Sequence, residues 1–254
     1  MQTKWTRLTD NQWEVIKHFL DWQRKRTLNL RNVMDAILYI TRCGVQWRNL
    51  PPNMFPAWDA VYYYFKKWKN NGAIFKMNAA LSQLERKKIG RQAAPTLALA
   101  DSQSVLLSPM IEQDRGLDGN KKVNGRKRHV LTDTMGRIYD VQIHAANLHD
   151  SPQGVLLLKD TWFPTDELKT IMADKTYRGT FAKAVEAAGY NFEVPDREDG
   201  TKGFVVEAKR WVVERSFAWL NFFRRCTKDY ERTPESAALF VVLANLSMVL
   251  SSIE

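Results

Sequence analysis

The sequence predicts an α/β protein in which a mixed-sheet layer follows an all-α segment, and three observations support this. Apolar residues recur at helical spacing from Trp13 to about Ile89. At Ala93-Ala94-Pro95 the pattern changes to short apolar runs bounded by turn residues, in the order strand, hairpin, helix, strand, helix, strand, helix. Charge divides at the same place: residues 1–95 carry 17 Lys and Arg against 6 Asp and Glu, and residues 96–254 carry 21 against 22. Two domains are therefore expected, 1–95 and 96–254.

The first helix opens at Thr9 or Asp10 as N-cap, with Trp13, Ile16, Phe19 and Leu20 as its apolar side. After the basic loop Arg24-Lys25-Arg26, a second helix runs from about Asn29 to a C′ glycine at Gly44. Pro51 and Pro52 make Gln46 to Asn53 a rigid turn. A third helix starts near Pro56 with Trp58, Phe65 and Trp68 as core, and a fourth spans Ile74 to Ile89. A turn between short helices, the second rich in aromatic and basic groups, is helix-turn-helix-like, with a plain bundle as the alternative. Its exposed cations, Arg48, Lys66, Lys67 and Lys69, are candidate phosphate contacts.

Beyond Pro95, Leu97 to Asp101 reads as a buried strand that delivers one carboxylate to a sheet rim. The basic run Lys121 to Arg128 leads into a hairpin, 129–132 and 138–144, closed through Asp133-Thr-Met-Gly136. A helix from Ser151, a strand ending in Asp174, a helix from Phe181 to Ala188 and a short strand at 190–194 follow. A helix carries Glu214 on a stripe with Glu207, Arg210, Ala218, Asn221 and Arg225, and Thr233-Pro234-Glu235 caps an apolar last helix.

The two cysteines, Cys43 and Cys226, have no paired spacing, which excludes a disulfide scaffold and fits a reducing cytoplasm. Met1 to Arg7 is polar and unlike a signal peptide, and no apolar run is long enough to cross a membrane. A basic lobe joined to a near-neutral one is the footprint of a DNA-binding module attached to something else, and a merely solvated basic face would look similar.

Asp101, Asp174 and Glu214 are candidate ligands for divalent magnesium, because hard cations take carboxylate oxygens. An aspartate at a strand end is also a common turn starter, and Glu214 could simply pair with Arg210. Lys121, Lys122, Arg126, Lys127 and Arg128 are candidate phosphate contacts or a solvated loop, and Arg178 could steady a scissile strand. His129, His144 and His149 lack zinc spacing, and Ser102 and Ser104 read as strand-end hydrogen-bonders.

Five segments carry a resemblance: Asp101-Ser-Gln-Ser, Gly125-Arg-Lys-Arg-His129 with its hairpin, His144 to Asp150, Ala173-Asp174-Lys-Thr-Tyr177-Arg-Gly179, and Val213-Glu214-Arg-Ser-Phe-Ala-Trp-Leu. Together with Trp47-Arg-Asn-Leu-Pro-Pro52, in this order, the chain resembles a bacterial insertion-sequence transposase of the insertion-sequence-five type. The resemblance implies a ribonuclease H-like mixed-sheet catalytic domain and a DDE triad of Asp101, Asp174 and Glu214, separated by 73 and 40 residues. It also implies two Mg2+ ions, with Mn2+ able to substitute, double-stranded DNA as partner, a homodimer or higher oligomer on that DNA, and a bacterial, nucleoid-associated location. Arg210 matches the family's signature around the glutamate, whereas Glu207 and Asn221 stand where the family carries Tyr and Lys, and Thr176 replaces a usual glycine.

The expected activity is binding of the terminal inverted repeats of an insertion sequence, strand cleavage, and transfer of the freed 3′-hydroxyl into target DNA. A metal-dependent nuclease without joining, and a domesticated DNA-binding regulator, are the alternatives.

Overall fold

The computed structural model describes residues 5–25, 27–159, 161–195 and 210–253, with the backbone alone at residue 210. Four helices come first: α1 (Asp10–Ile16), α2 (Leu30–Cys43), α3 (Trp58–Asn70) and α4 (Ala73–Lys88). Each start has a local cause. Thr9 and Gln12 form a reciprocal capping box on α1, and the Asn29 side chain accepts from the Arg31 and Asn32 amides to start α2. Gly44, at φ 74, ends α2, and a 3-10 turn at Trp47–Asn49 followed by Pro51 and Pro52 separates it from α3.

A six-stranded mixed sheet follows, built from β1 (Leu97–Leu106), β2 (Gly116–Asp118), β3 (Val123–Asp133), β4 (Ile138–Ala145), β5 (Thr170–Ala173) and β6 (Asn191–Glu193). β1 pairs antiparallel with β3 and parallel with β5, whose other edge takes β6 in parallel. The outer edge of β3 takes β2 along its first residues and β4 along the rest. Between β4 and β6 lie α5 (Asp150–Gly154) and α6 (Thr180–Ala187), and α7 (Arg210–Leu220), α8 (Arg224–Thr227) and α9 (Pro234–Leu250) end the chain.

Strand alternation sorts the sheet into two faces. Ala98, Ala100, Leu131, Ile171 and Ala173 point into a cluster with Leu157, Tyr177, Phe181 and Val185 of the α5–α6 side. Leu97, Leu99, Val130, Met172 and Val141 point the other way, into a cluster with Val213 and Phe217 of α7, most of α9, and the apolar faces of α1 to α4. α9 is buried all round, with 13 of its 17 residues in the core, as expected of a helix apolar on every side. A buried amide pair ties three elements together: Asn245 Nδ2 donates to Asn78 Oδ1 (2.7 Å), Asn78 Nδ2 to the Ile138 carbonyl (2.8 Å), and the Ile138 amide to Asn245 Oδ1 (3.1 Å).

Several expectations change. The boundary at Ala93–Pro95 marks a switch from helix to strand, but one buried cluster runs across it, with Phe65 of α3 stacked 5.0 Å from Phe240 of α9. Asp101 lies inside β1 rather than at its end, because β3 continues to pair with β1 as far as Leu106. The basic run from Val123 onward is strand rather than loop. The stripe expected from Glu207 to Arg225 is interrupted: α7 ends at Leu220, Arg225 belongs to α8, and Glu207 lies outside the described residues.

Candidate active site

β5 stops where β1 goes on. The last register pair is Ala100 with Ala173, so Asp101 and Asp174 occupy the next position on two neighbouring parallel strands, where backbones run about 4.8 Å apart. Alternation places both on the face of Leu99 and Met172, which is the face α7 covers. A small cavity there is lined by Leu99, Asp101, Met172, Asp174 and Val213, and Glu214 is the exposed residue that follows Val213. Both aspartates are half-buried. Asp101 Oδ1 accepts the Ser102 amide at 2.7 Å, and Asp174 caps a 3-10 turn at Lys175–Tyr177, accepting the Thr176 amide at 2.9 Å and the Thr176 hydroxyl.

α7 is held by the β3–β4 turn. Ser216 Oγ donates to the Gly136 carbonyl (2.8 Å) and Arg215 Nη2 to the Met135 carbonyl (2.9 Å), while the Arg215 guanidinium lies between the Trp211 and Trp219 rings at 4.4 and 4.5 Å. That turn is fixed in its own right by Asp133, which is fully buried against Arg86 at 2.8 Å. The hairpin motif read from sequence thus sets the height of the helix that bears Glu214.

Among the described residues no three His, Cys, Asp or Glu side chains are grouped closely enough to hold a metal ion. The donors that stand together are Asp101 and Asp174. Two carboxylates fit a magnesium-like ion, which keeps several waters and needs only one or two protein carboxylates.

On the opposite face, behind these acids, lies a polar cluster not anticipated from the sequence. Asp150, the first residue of α5, accepts from Lys127 Nζ at 2.8 Å and Ser102 Oγ at 3.2 Å, and the Thr176 hydroxyl, which donates to Asp174, lies 3.3 Å from its other oxygen. The buried His129 ring stacks on His144 with centroids 4.8 Å apart, and its Nδ1 lies 2.5 Å from the Tyr177 hydroxyl. Burial, with the nearby charges of Asp101, Asp150 and Asp174, raises the Tyr177 hydroxyl well above the phenol range. Burial and the neighbouring His144 hold His129 well below the usual imidazole range, so it is neutral. An aspartate at the start of a helix reads as a capping residue; nothing in the local sequence links Asp150 to Ser102 or Thr176.

The expected phosphate contacts separate by burial. Arg126 is 1% exposed, paired with Asp229 at 3.0 Å and donating to the carbonyls of Gln113, Glu231 and Arg232. Arg128 donates to Gln103 and the Cys226 carbonyl, Lys127 to Asp150 and the Leu148 carbonyl, and Arg225 pairs with Glu231 at 2.6 Å. These four side chains are held by partners within the fold, and each would have to leave one to reach a duplex. Arg48, Lys66, Lys121, Lys122 and Arg178 are exposed. Lys67 and Lys69 are half-buried, on Asp21 (2.7 Å) and Ser236 (3.2 Å) respectively, and the Arg210 side chain lies outside the described residues.

Among the described residues no helix is long and apolar enough to cross a membrane.

Residues 8–78 match the model of a "Putative transposase of IS4/5 family", and residues 92–250 match a "Transposase DDE domain". The gap between the two matches falls where helices give way to strands. A putative transposase for insertion sequence element IS402 from Burkholderia cepacia is 28% identical over 127 residues, 47% of this chain and 60% of that protein. The uncharacterized protein y4sN from Sinorhizobium fredii (strain NBRC 101917 / NGR234) is 32% identical over 80 residues, 30% of this chain and 63% of that protein. The chain thus spans about three fifths of each of these relatives. With the DDE-domain match covering more than half of its length and the mixed sheet being ribonuclease H-like, this chain belongs to the DDE transposases of insertion sequences.

Proposed function

We propose that this chain is a DNA transposase that binds the terminal inverted repeats of its element, cleaves there, and joins the freed 3′-hydroxyl to target DNA. The observation that carries the reading is the register of β1 against β5, which sets Asp101 beside Asp174 on the face covered by the Glu214 helix. Asp101 and Asp174 would hold divalent Mg2+, or Mn2+ in its place, and Glu214, which is not grouped with them in the structure, would join as the third acid by a shift of its side chain or of α7. Two such ions, when bound, supply activation of the attacking oxygen and stabilisation of the leaving oxygen in an in-line displacement. Asp101 is held on one side by β3, where it pairs with Val130. Asp174, on the turn after β5, is aligned by the Thr176 amide. Glu214 is carried by α7, which Ser216 and Arg215 tie to the β3–β4 turn.

The exposed cations Arg48, Lys66, Lys121, Lys122 and Arg178, with Lys67 and Lys69 at the edge of α3 and Arg210 at the start of α7, would bear on the phosphate backbone. Arg48 stacks over Trp58 at 5.3 Å and Lys66 over Tyr62 at 5.7 Å, so both cations are presented on aromatic supports. Two element ends must meet for joining, so the active form on DNA is at least a dimer.

The test uses purified full-length protein with Mn2+ and a plasmid carrying the DNA that flanks the coding sequence. Strand cleavage and joining are expected from the wild type, and Asp101→Asn or Asp174→Asn should lower both by a factor of about 1,000 or more, as removal of a central electrostatic contributor does. Retention of cleavage by both variants would refute the assignment, and cleavage without joining would make the chain a nuclease.

A further inference from the structure

We propose that Asp150 is a positioning residue for the Asp101–Asp174 pair, acting from the opposite face of the sheet through Ser102 and Thr176. This rests on the metal-holding role assigned above to Asp101 and Asp174. Ser102 follows Asp101 on β1, and alternation turns its side chain to the α5 side, where its hydroxyl donates to Asp150 Oδ1. Thr176 lies two residues after Asp174; its hydroxyl is within hydrogen-bonding reach of Asp174 Oδ1 and, at 3.3 Å, of Asp150 Oδ2. One carboxylate therefore reaches the residue that follows Asp101 and the residue two positions after Asp174.

The geometry suits a strut. β1 and β5 cease to pair at Ala100 and Ala173, so beyond that point no ladder hydrogen bond fixes the separation of the two acids. Asp150 spans the gap. Its own place is set by Lys127 Nζ at 2.8 Å, a cation only 10% exposed that also donates to the Leu148 carbonyl. The adjoining Ser151 hydroxyl donates to the Tyr177 carbonyl and accepts the Phe181 amide, which locks the start of α5 to the segment that follows Asp174. The buried Nε2 of His129, which has no hydrogen-bond partner, lies 3.7 Å from the same carboxylate and closes the cluster from below. Groups that orient metal-holding carboxylates typically change metal affinity by about 10–100-fold when removed.

The experiment titrates Mn2+ alone into the full chain and reads the midpoint of the metal-induced rise in melting temperature, beside calorimetric titration. Asp150→Asn keeps the shape and removes the charge facing Lys127. It is expected to raise the Mn2+ midpoint about 10-fold, with cleavage recovering at saturating Mn2+. Thr176→Val, at an exposed position that folding tolerates, should do the same, and Thr176→Ser should restore the wild-type midpoint. The double variant Asp150→Asn/Thr176→Val should be less than additive, because the two act through one contact. If both single variants leave the Mn2+ midpoint unchanged while Asp101→Asn abolishes the response, the strut is refuted and the active-site assignment stands. A wild-type chain with no response to Mn2+ overturns both.

Discussion

Asp140 shows how one residue can tune stability. It is 4% exposed, accepts the Trp162 amide at 2.7 Å and the Thr161 hydroxyl, and burial still pushes its carboxyl up to about 6. A carboxylate with a raised folded pKa favours the native state below its ordinary value near 3.8 and loses that advantage as pH rises to about 6. His129 acts with the opposite sign: burial depresses its pKa, so its contribution is present above the ordinary imidazole range and is lost on acidification. The two oppose each other between about pH 4 and 6. Asp140→Asn should therefore remove the acid-side gain, so that stability falls more steeply with acidification than in the wild type. Urea denaturation at pH 4.5 and 7.5 measures this; equal slopes for the two proteins would contradict the assignment. From sequence, Asp140 was one polar residue in a strand, since nothing local marks the Thr161 and Trp162 groups that enclose it.

At the level of elements, β3 departs most from its sequence pattern. Its basic run invites a solvated loop, yet Arg126 and Arg128 are buried because the 226–232 segment supplies the Asp229 carboxylate and the carbonyls of Cys226, Glu231 and Arg232 as partners. Those partners are about 100 residues away in the chain, beyond the reach of any local pattern. Gly125, at the head of this strand, pairs with Leu106 on one side and Gly116 on the other. A Cβ there would stand 2.0 Å from the Val105 carbonyl oxygen and 2.6 Å from the Leu107 amide nitrogen, both backbone atoms that cannot turn aside. Gly125→Ala is accordingly expected to destabilise the chain by about 1–3 kcal/mol, as overpacking does. A denaturation midpoint unchanged by the substitution would show that β1 and β3 approach less closely than described. The helices were more legible. Thr9, Asn29 and Thr233 start α1, α2 and α9 as expected, since caps act within three residues of where they stand.

For the whole molecule, the shared core decides how the N-terminal helices behave. α4 packs on α9, Phe65 stacks on Phe240, and Asn78 and Asn245 satisfy one another, so residues 1–95 leave their main apolar partner in the last 20 residues of the chain. A fragment of residues 1–95 should lack a cooperative melting transition, and adding a peptide of residues 230–254 should increase its helicity. A sharp two-state melt of the fragment alone, followed by circular dichroism, would establish an independent domain instead.

By itself the sequence determined the element order, the helix starts, the hairpin, and the motifs that carry the resemblance to DDE transposases, because each is written in neighbouring residues: a cap, a period, a turn, a short signature. Only the tertiary structure decided that Asp101 and Asp174 stand side by side, that α7 is seated on the β3–β4 turn, that Asp150 lies behind both aspartates, and which cations are buried. Strand register and burial arise from contacts between segments tens to hundreds of residues apart. Their energies depend on which partners a folded chain brings together, so local residue patterns cannot specify them.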